Sequence, residues 1–243
     1  MSAGAVLGPV IGAVVGAGTG ALVPRLIARL PEPAADPTER AGDFPDKIPY
    51  TEVAAGPRLA LRCALACLVA GASIGLSTGW SWGLPWLLYL VPLGCALAVV
   101  DWHTWYLPKV LVAPSYAVVG ALVLVAAVAA GDWRVARDAV IGWAVLGAYY
   151  GLLWFVSPRI MAYGDVRLGG LLGLALGPFG LLDVLSSVFA AAVLGAAALL
   201  PMRSSGRTIR RHAPYGPFLV LGALAALVLG SLLDGTFGQG TFA

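Results

Sequence analysis

The chain has 243 residues, 60% of them hydrophobic and 11% charged, with 12 acidic and 15 basic side chains and a net charge of +3. With a mean hydropathy of +0.89, this excludes an ordinary soluble domain, which keeps about a quarter of its residues charged, and places the chain in lipid. So small a net charge leaves no electrostatic footprint for nucleic acid, and the position of each charge along the chain says more than their sum.

A hydrocarbon core about 30 Å thick is crossed by about 20 apolar helical residues. Eight apolar runs meet or approach that length, at residues 4–24, 60–79, 84–100, 110–130, 139–157, 167–181, 184–200 and 215–233. The fold class they predict is an all-α polytopic membrane helical bundle of about eight transmembrane helices. The first run reads as a retained anchor rather than a signal peptide, because no basic residue precedes its apolar stretch and Arg25 and Arg29 follow it. The sixth and seventh runs are short and separated only by Gly177, Pro178, Gly180 and Asp183, so a re-entrant or broken helix pair is an alternative there.

Basic residues near span ends stay on the cytoplasmic side. With residue 25 inside, 13 of the 15 Lys and Arg residues are cytoplasmic, and only Arg134 and Arg137 fall outside. The chain then divides into a first transmembrane helix (1–24), a short cytoplasmic loop (25–62), a transmembrane core (63–233) and an extracytoplasmic tail (234–243). The loop carries Pro31, Pro33, Pro37, Pro45, Pro49 and Pro57 among twelve charges, six of each sign. It is too short and too poor in apolar residues to hold a core of its own, and reads as a solvated connector. A second basic loop, Arg203 to His212, reads as an anchor at anionic headgroups.

Cys63, Cys67 and Cys95 lie in apolar runs without a CxxC pair, and His103 and His212 lack partners at ligand spacing. These patterns predict neither a disulfide framework nor a metal site, and no cofactor. No serine, histidine and acid fall together in a way that suggests a nucleophilic triad.

Four acidic residues stand at span borders: Asp101, Asp165, Asp183 and Asp234. Asp183 and Asp234 belong to the extracytoplasmic side and read as water-boundary residues. Asp101 ends the third span, and Asp165 opens the sixth after Tyr163 and Gly164. The fourth span crosses out and the fifth returns, so both carboxylates reach the cytoplasmic side at similar depth. A carboxylate in or near hydrocarbon costs on the order of 2.5–3.5 kcal/mol at a helix centre, and is by default a functional-site hypothesis. Two carboxylates held close in a low-dielectric cavity share a proton, which is the chemistry of aspartic proteolysis. The ionised member takes a proton from the attacking water, while the protonated member polarises the peptide carbonyl and later serves the leaving amine. Gly164, with no side chain, lets a substrate strand approach the backbone.

At these residues the sequence resembles the bacterial prepilin peptidases, membrane aspartic proteases of the GxGD type. Asp101-Trp102-His103-Thr104-Trp105-Tyr106-Leu107-Pro108 resembles the first catalytic block of that family, and Tyr163-Gly164-Asp165-Val166-Arg167-Leu168 the second, G-x-G-D-V-K-L. Gly16-Ala17-Gly18-Thr19-Gly20 running on to Pro24-Arg25, with Arg29-Leu30-Pro31, resembles its N-terminal glycine-rich helix. Pro214-Tyr215-Gly216-Pro217-Phe218-Leu219 with Gly222-Ala223 resembles the P-x-G-P-F-L-x-x-G-A that opens its last span. The four segments cover nearly the whole chain in the family's order.

The resemblance implies an aspartic endopeptidase, a hydrolase with Asp101 and Asp165 as the catalytic pair and Gly164, Pro108 and Tyr163 as supporting residues. It implies prepilin or pseudopilin precursors as substrates, cleaved between a basic leader and an apolar helix at the cytoplasmic face of the bacterial inner membrane. Partners are then those precursors and membrane lipid, with no nucleic acid. Two departures stand out. Ala162 occupies the first glycine of GxGD, and residues 25–62 contain none of the CxxC zinc pairs that many family members carry, so a peptidase without N-methyltransferase activity is expected. A reading of another class is a small cation-coupled transporter using the same two aspartates.

Overall fold

The computed structural model describes residues 3–32, 48–158, 161–204 and 214–233, and among these every regular element is helical and none is a strand. Ten α-helices follow one another: α1 (Ala3–Gly20), α2 (Val23–Ala28), α3 (Tyr50–Ala54), α4 (Leu59–Thr78), α5 (Leu84–Thr104), α6 (Lys109–Ala130), α7 (Arg134–Val156), α8 (Tyr163–Leu176), α9 (Leu181–Ser204) and α10 (Gly216–Leu233). Seven stretches are long and apolar enough to cross a membrane: Val6–Ala28, Leu59–Thr78, Leu84–Thr104, Lys109–Ala130, Arg134–Val156, Leu181–Ala198 and Gly216–Leu233. The protein is an all-α polytopic bundle. The eighth expected span, at 167–181, differs: α8 has 14 residues and ends in a 3₁₀ turn at Gly177–Phe179. At 1.5 Å per residue it rises roughly 21 Å, short of the hydrocarbon thickness.

Large apolar side chains face outward over the spans, among them Val128 at 66%, Phe155 at 78% and Phe189 at 72% exposure. Water would not tolerate such a surface, whereas lipid is as apolar as the side chains themselves. Exposed Trp80, Trp82 and Trp133 lie where α4 ends and where α5 and α7 begin, and exposed Trp102, Tyr106 and Tyr163 lie at the opposite end. Amphipathic rings favour these two boundaries.

With apolar burial supplying no drive between helices inside lipid, close backbone approach holds the bundle. Gly8, Gly12, Gly16 and Gly20 recur every fourth residue on one face of α1. They meet the backbone of α4 at Gly75, Gly71, Cys67 and Cys63, so a Cβ on Gly12 would strike the Gly71 carbonyl. The same device joins α7 to α8, where Gly142 meets Gly173 and Gly177. Of the spanning windows, α5 is the most enclosed, 61% buried against 44% for α10, and it forms the centre of the bundle. Cys95 of α5 lies beside Cys63 and Cys67 of α4, and all three thiols are free. Among the described residues no group of three or more His, Cys, Asp or Glu is arranged to hold a metal.

The flanks of the expected connector pack against this core, so that segment is not solvated throughout. Ile27 and Leu30 on one side of it, and Tyr50 and Val53 of α3 on the other, are all buried, and the Tyr50 backbone N–H donates to Glu32 Oε1 at 2.7 Å. Burial, with Tyr106 and Glu32 nearby, pushes the Tyr50 phenol above its ordinary pKa. The middle of the loop, most of the basic segment Arg203 to His212, and Asp234 lie outside the described residues. Asp183 departs from its reading as a water-boundary residue. It lies in the first turn of α9 with only 8% exposure, packed where a Cβ on Gly230 would have to sit.

Candidate functional site

Helix α5 carries Asp101 in its last turn, and α8 carries Asp165 in its first. Both helix ends belong to the same end of the bundle, because α6 runs away from it and α7 returns. Asp101 is 4% exposed and Asp165 6%, although each stands within a few residues of exposed chain. The two carboxylates are close enough for the charge of Asp101 to act on Asp165.

Each carboxylate takes a backbone donor that a helix start leaves without a partner. Gly216 is the first residue of α10, and its N–H donates to Asp101 Oδ2 at 2.8 Å. Ala162 precedes α8, and its N–H donates to Asp165 Oδ2 at 3.2 Å, while the Asp165 N–H returns to the Ala162 carbonyl at 3.0 Å. Only this carboxylate half of a capping box exists, since an alanine side chain accepts nothing. Both aspartates are thereby fixed against helix N-termini, and their orientation does not depend on long, flexible side chains.

The turn between α5 and α6 joins the two halves. Trp105 ends α5 in the left-handed region, with φ 55°, and its N–H bonds the Asp101 carbonyl at 2.9 Å. An aromatic side chain in this conformation is rare, and the cost is on the order of 1–2 kcal/mol. The turn points Leu107 inward, where it is 5% exposed, and Pro108 then begins α6 as its N-cap residue. Leu107 touches both neighbouring glycines. A Cβ on Gly164 would come within 2.9 Å of Leu107 Cβ, and a Cβ on Gly216 within 3.2 Å of Leu107 Cδ2 and 2.8 Å of Asp101 Oδ2. One side chain thus fills the space between the residue preceding Asp165 and the residue that donates to Asp101.

Of the residues singled out from sequence, Asp101, Asp165 and Gly164 meet at this junction, and Pro108 supports it from the start of α6. Tyr163 is placed differently. It is 53% exposed, its ring lies 5.2 Å from that of Trp154, and the Arg167 guanidinium lies 4.8 Å above it. The side chain faces α7 and the boundary, so its contribution is to anchor the start of α8. His103 is exposed and bonds the Val99 carbonyl at 2.8 Å.

Sequence reasoning quoted Leu107, Tyr215 and Gly216 only as parts of the motif segments and gave them no role of their own, and it passed over Tyr150. Tyr150 of α7 is 2% exposed, and both it and Tyr215 are near enough to Asp165 to feel its charge. The available signals were local. Leu107 is the apolar residue before Pro108, and Gly216 precedes Pro217 at a helix start, where proline fits and a free N–H remains. Nothing in the spacing of Tyr150 distinguishes it from other aromatics of its span. No protein-family model matches the chain, and no curated protein or solved structure matches it either.

Proposed function

We propose that the protein is an aspartic endopeptidase of the prepilin-peptidase kind, cleaving the leader from type IV prepilins or pseudopilins at the cytoplasmic face of a bacterial inner membrane. The observation that carries this reading is the pairing of two buried carboxylates, Asp101 and Asp165, from helix ends 64 positions apart in the sequence. A lone buried aspartate has many structural uses. Two that lie near enough for one charge to act on the other, each with a backbone donor on one oxygen, suit acid and base roles in a single reaction.

In the proposed reaction one carboxylate is ionised and the other protonated. The ionised one accepts a proton from water as the water oxygen bonds to the peptide carbonyl carbon. The protonated one donates a hydrogen bond to the carbonyl oxygen, whose growing charge it stabilises. Collapse of the tetrahedral intermediate breaks the C–N bond as the protonated carboxyl gives its proton to the leaving nitrogen, and the proton taken from water stays on the other carboxyl, so the pair again holds one proton. The products are a leader carboxylate and a new amino terminus, with one water consumed. The Gly216 and Ala162 N–H groups hold the two carboxylates in place throughout.

The cytoplasmic orientation rests on the charge asymmetry of the sequence, in which 13 of 15 basic residues belong to loops assigned to the side of Asp101 and Asp165. Methyl transfer to the mature pilin is not part of the proposed activity, since residues 25–62 have no cysteine. The test is processing of a prepilin co-expressed in membranes with wild-type protein, Asp101→Asn or Asp165→Asn, read as a mobility shift. Each substitution is expected to slow cleavage at least a hundredfold while the protein still inserts. Normal processing by either well-inserted variant makes that aspartate structural and refutes the pair, and failure of wild-type protein to process any precursor makes a cation transporter the better reading.

A further inference from the structure

Helices α7 and α8 run antiparallel, and their contacts fix which turn of α7 stands level with Asp165. A Cβ on Gly151 would lie 3.8 Å from Cγ1 of Val166, the residue after Asp165, and the Trp154 ring lies 5.2 Å from that of Tyr163. Tyr150 rests on Gly169, where a Cβ would strike its Cδ2 and come within 2.8 Å of its Cε2. Gly169 is one helical turn from Asp165 on the same face of α8, and both are buried. Tyr150 therefore stands beside Asp165 on its inward face, whereas Tyr163 takes the boundary side. Tyr149 meets the Tyr150 ring edge-on, with centroids 5.0 Å apart and planes at 77°. Tyr150 is only 2% exposed, yet its hydroxyl has no hydrogen-bond partner among the described residues. Asp165 in turn engages Oδ2, with the Ala162 N–H, and leaves Oδ1 without a donor among those residues.

From this placement we infer that Tyr150 is a further catalytic residue, whose hydroxyl donates a hydrogen bond to the substrate's carbonyl oxygen as that oxygen takes up negative charge. The inference rests on the peptidase reading and deepens it by adding a donor to the same site. Three properties favour this role. A buried hydroxyl without a partner costs folding free energy, and phenylalanine would fill the berth on Gly169 equally well. A donor reserved for charge that appears only in the transition state carries that cost in advance, and it acts without reorganising when the charge develops. The carboxyl that polarises the carbonyl must give up its proton to the leaving nitrogen, whereas a phenol keeps its proton near neutral pH and stays a donor throughout. A phenol and a protonated carboxyl together stabilise an oxyanion in an apolar site. Finally, a ring seated on Gly169 and braced by Tyr149 holds its hydroxyl in one direction. Tyr215 differs, because its ring packs 6.3 Å from that of Phe218 and faces Gly195 of α9.

The test is the rate of cleavage of a complete prepilin precursor, over a range of its concentrations, by the full chain in vesicles of phosphatidylethanolamine and phosphatidylglycerol. Wild type is compared with Tyr150→Phe, which keeps the ring and removes only the hydroxyl, and with Tyr149→Phe, at a residue 43% exposed. For Tyr150→Phe, kcat is expected to fall at least tenfold, with KM within about twofold and melting no lower than wild type, because an interaction made only in the transition state acts on kcat. Tyr149→Phe is expected to match wild type. A fall in kcat of less than tenfold overturns the role, as does an equal loss in both variants. A loss accompanied by a lower melting temperature makes Tyr150 a packing residue, and a raised KM at unchanged kcat makes it a ground-state contact; either result also overturns the role. If wild type cleaves, both aspartate variants fail and Tyr150→Phe cleaves normally, the donor alone is removed. If wild type cleaves no precursor, the peptidase reading falls and the donor with it.

Discussion

Along the seam of α1 and α4 glycine meets backbone, whereas at the junction of α5, α8 and α10 glycine meets side chains. At the seam, the missing Cβ of Gly12 lets one helix rest on the carbonyl of Gly71 in the other, and the gain is contact area and stability. At the junction, the absent Cβ of Gly216 leaves room for the Asp101 carboxylate, and that of Gly164 leaves room for Leu107. The same residue type therefore closes space between backbones in one region and leaves room for buried side chains in the other. The two uses separate experimentally, since damage to the seam removes the fold and damage to the junction removes geometry from a protein that still folds.

The largest effect is expected at the seam. Gly12→Leu would force α1 and α4 apart, and overpacking of this severity costs about 3 kcal/mol or more. The expected outcome is loss of the monodisperse peak on detergent size exclusion, or a sharply lowered melting temperature. Gly18 on the same helix has nothing within 4 Å of a built Cβ, so Gly18→Leu should leave melting within about 0.5 kcal/mol of wild type. Equal behaviour of the two variants would remove the seam from the account.

A smaller and more selective effect is expected from Gly216→Ala. The added methyl must displace the Asp101 carboxylate and the Leu107 side chain, which it would approach to 2.8 and 3.2 Å. A shift of about 1 Å in a reacting group can cost a hundredfold in rate. Prepilin processing should fall at least tenfold while melting changes little, and a variant that melts early in proportion to its lost activity would make Gly216 a second seam. Leu107→Ala should act on both quantities. It opens a cavity in a buried position, which costs about 2–3 kcal/mol, and it frees Gly164 and Gly216 to move, so processing should drop several-fold with a clear fall in melting temperature. Unchanged processing would show that Leu107 fills space without setting the separation of the carboxylates.

The position of Asp101 and Asp165 at one end of the bundle was legible in the sequence, because two spans lie between them and two crossings return the chain to the end it left. Their flanking glycine and proline were legible for the same local reason. The shortness of α8 was legible in part, since its run is short and Gly177-Pro178 marks a break; that the helix fails to span was not, because Gly177-Pro178-Phe179 continues the apolar run while its backbone tightens into a 3₁₀ turn. Asp183 shows the converse: a border position in sequence became a buried one because the neighbouring Gly230 leaves it room. The docked flanks of the 25–62 segment also escaped notice, as four buried residues spread over a proline-rich stretch carry no periodic signal.

Composition and hydropathy alone determine that this chain is a helical membrane protein, because the cost of unsatisfied backbone in lipid leaves a run of apolar residues no other structure. They also bring the two carboxylates to one boundary. Only the tertiary structure decided that the two carboxylates are buried near each other, that Leu107 fills the space between their two glycines, and that the Gly216 N–H serves Asp101 across 115 positions of chain. The reason is physical: helix formation follows from neighbours in sequence, whereas the meeting of α5, α8 and α10 depends on which side chains are small enough to let the helices approach, a property of pairs of surfaces that no single segment contains.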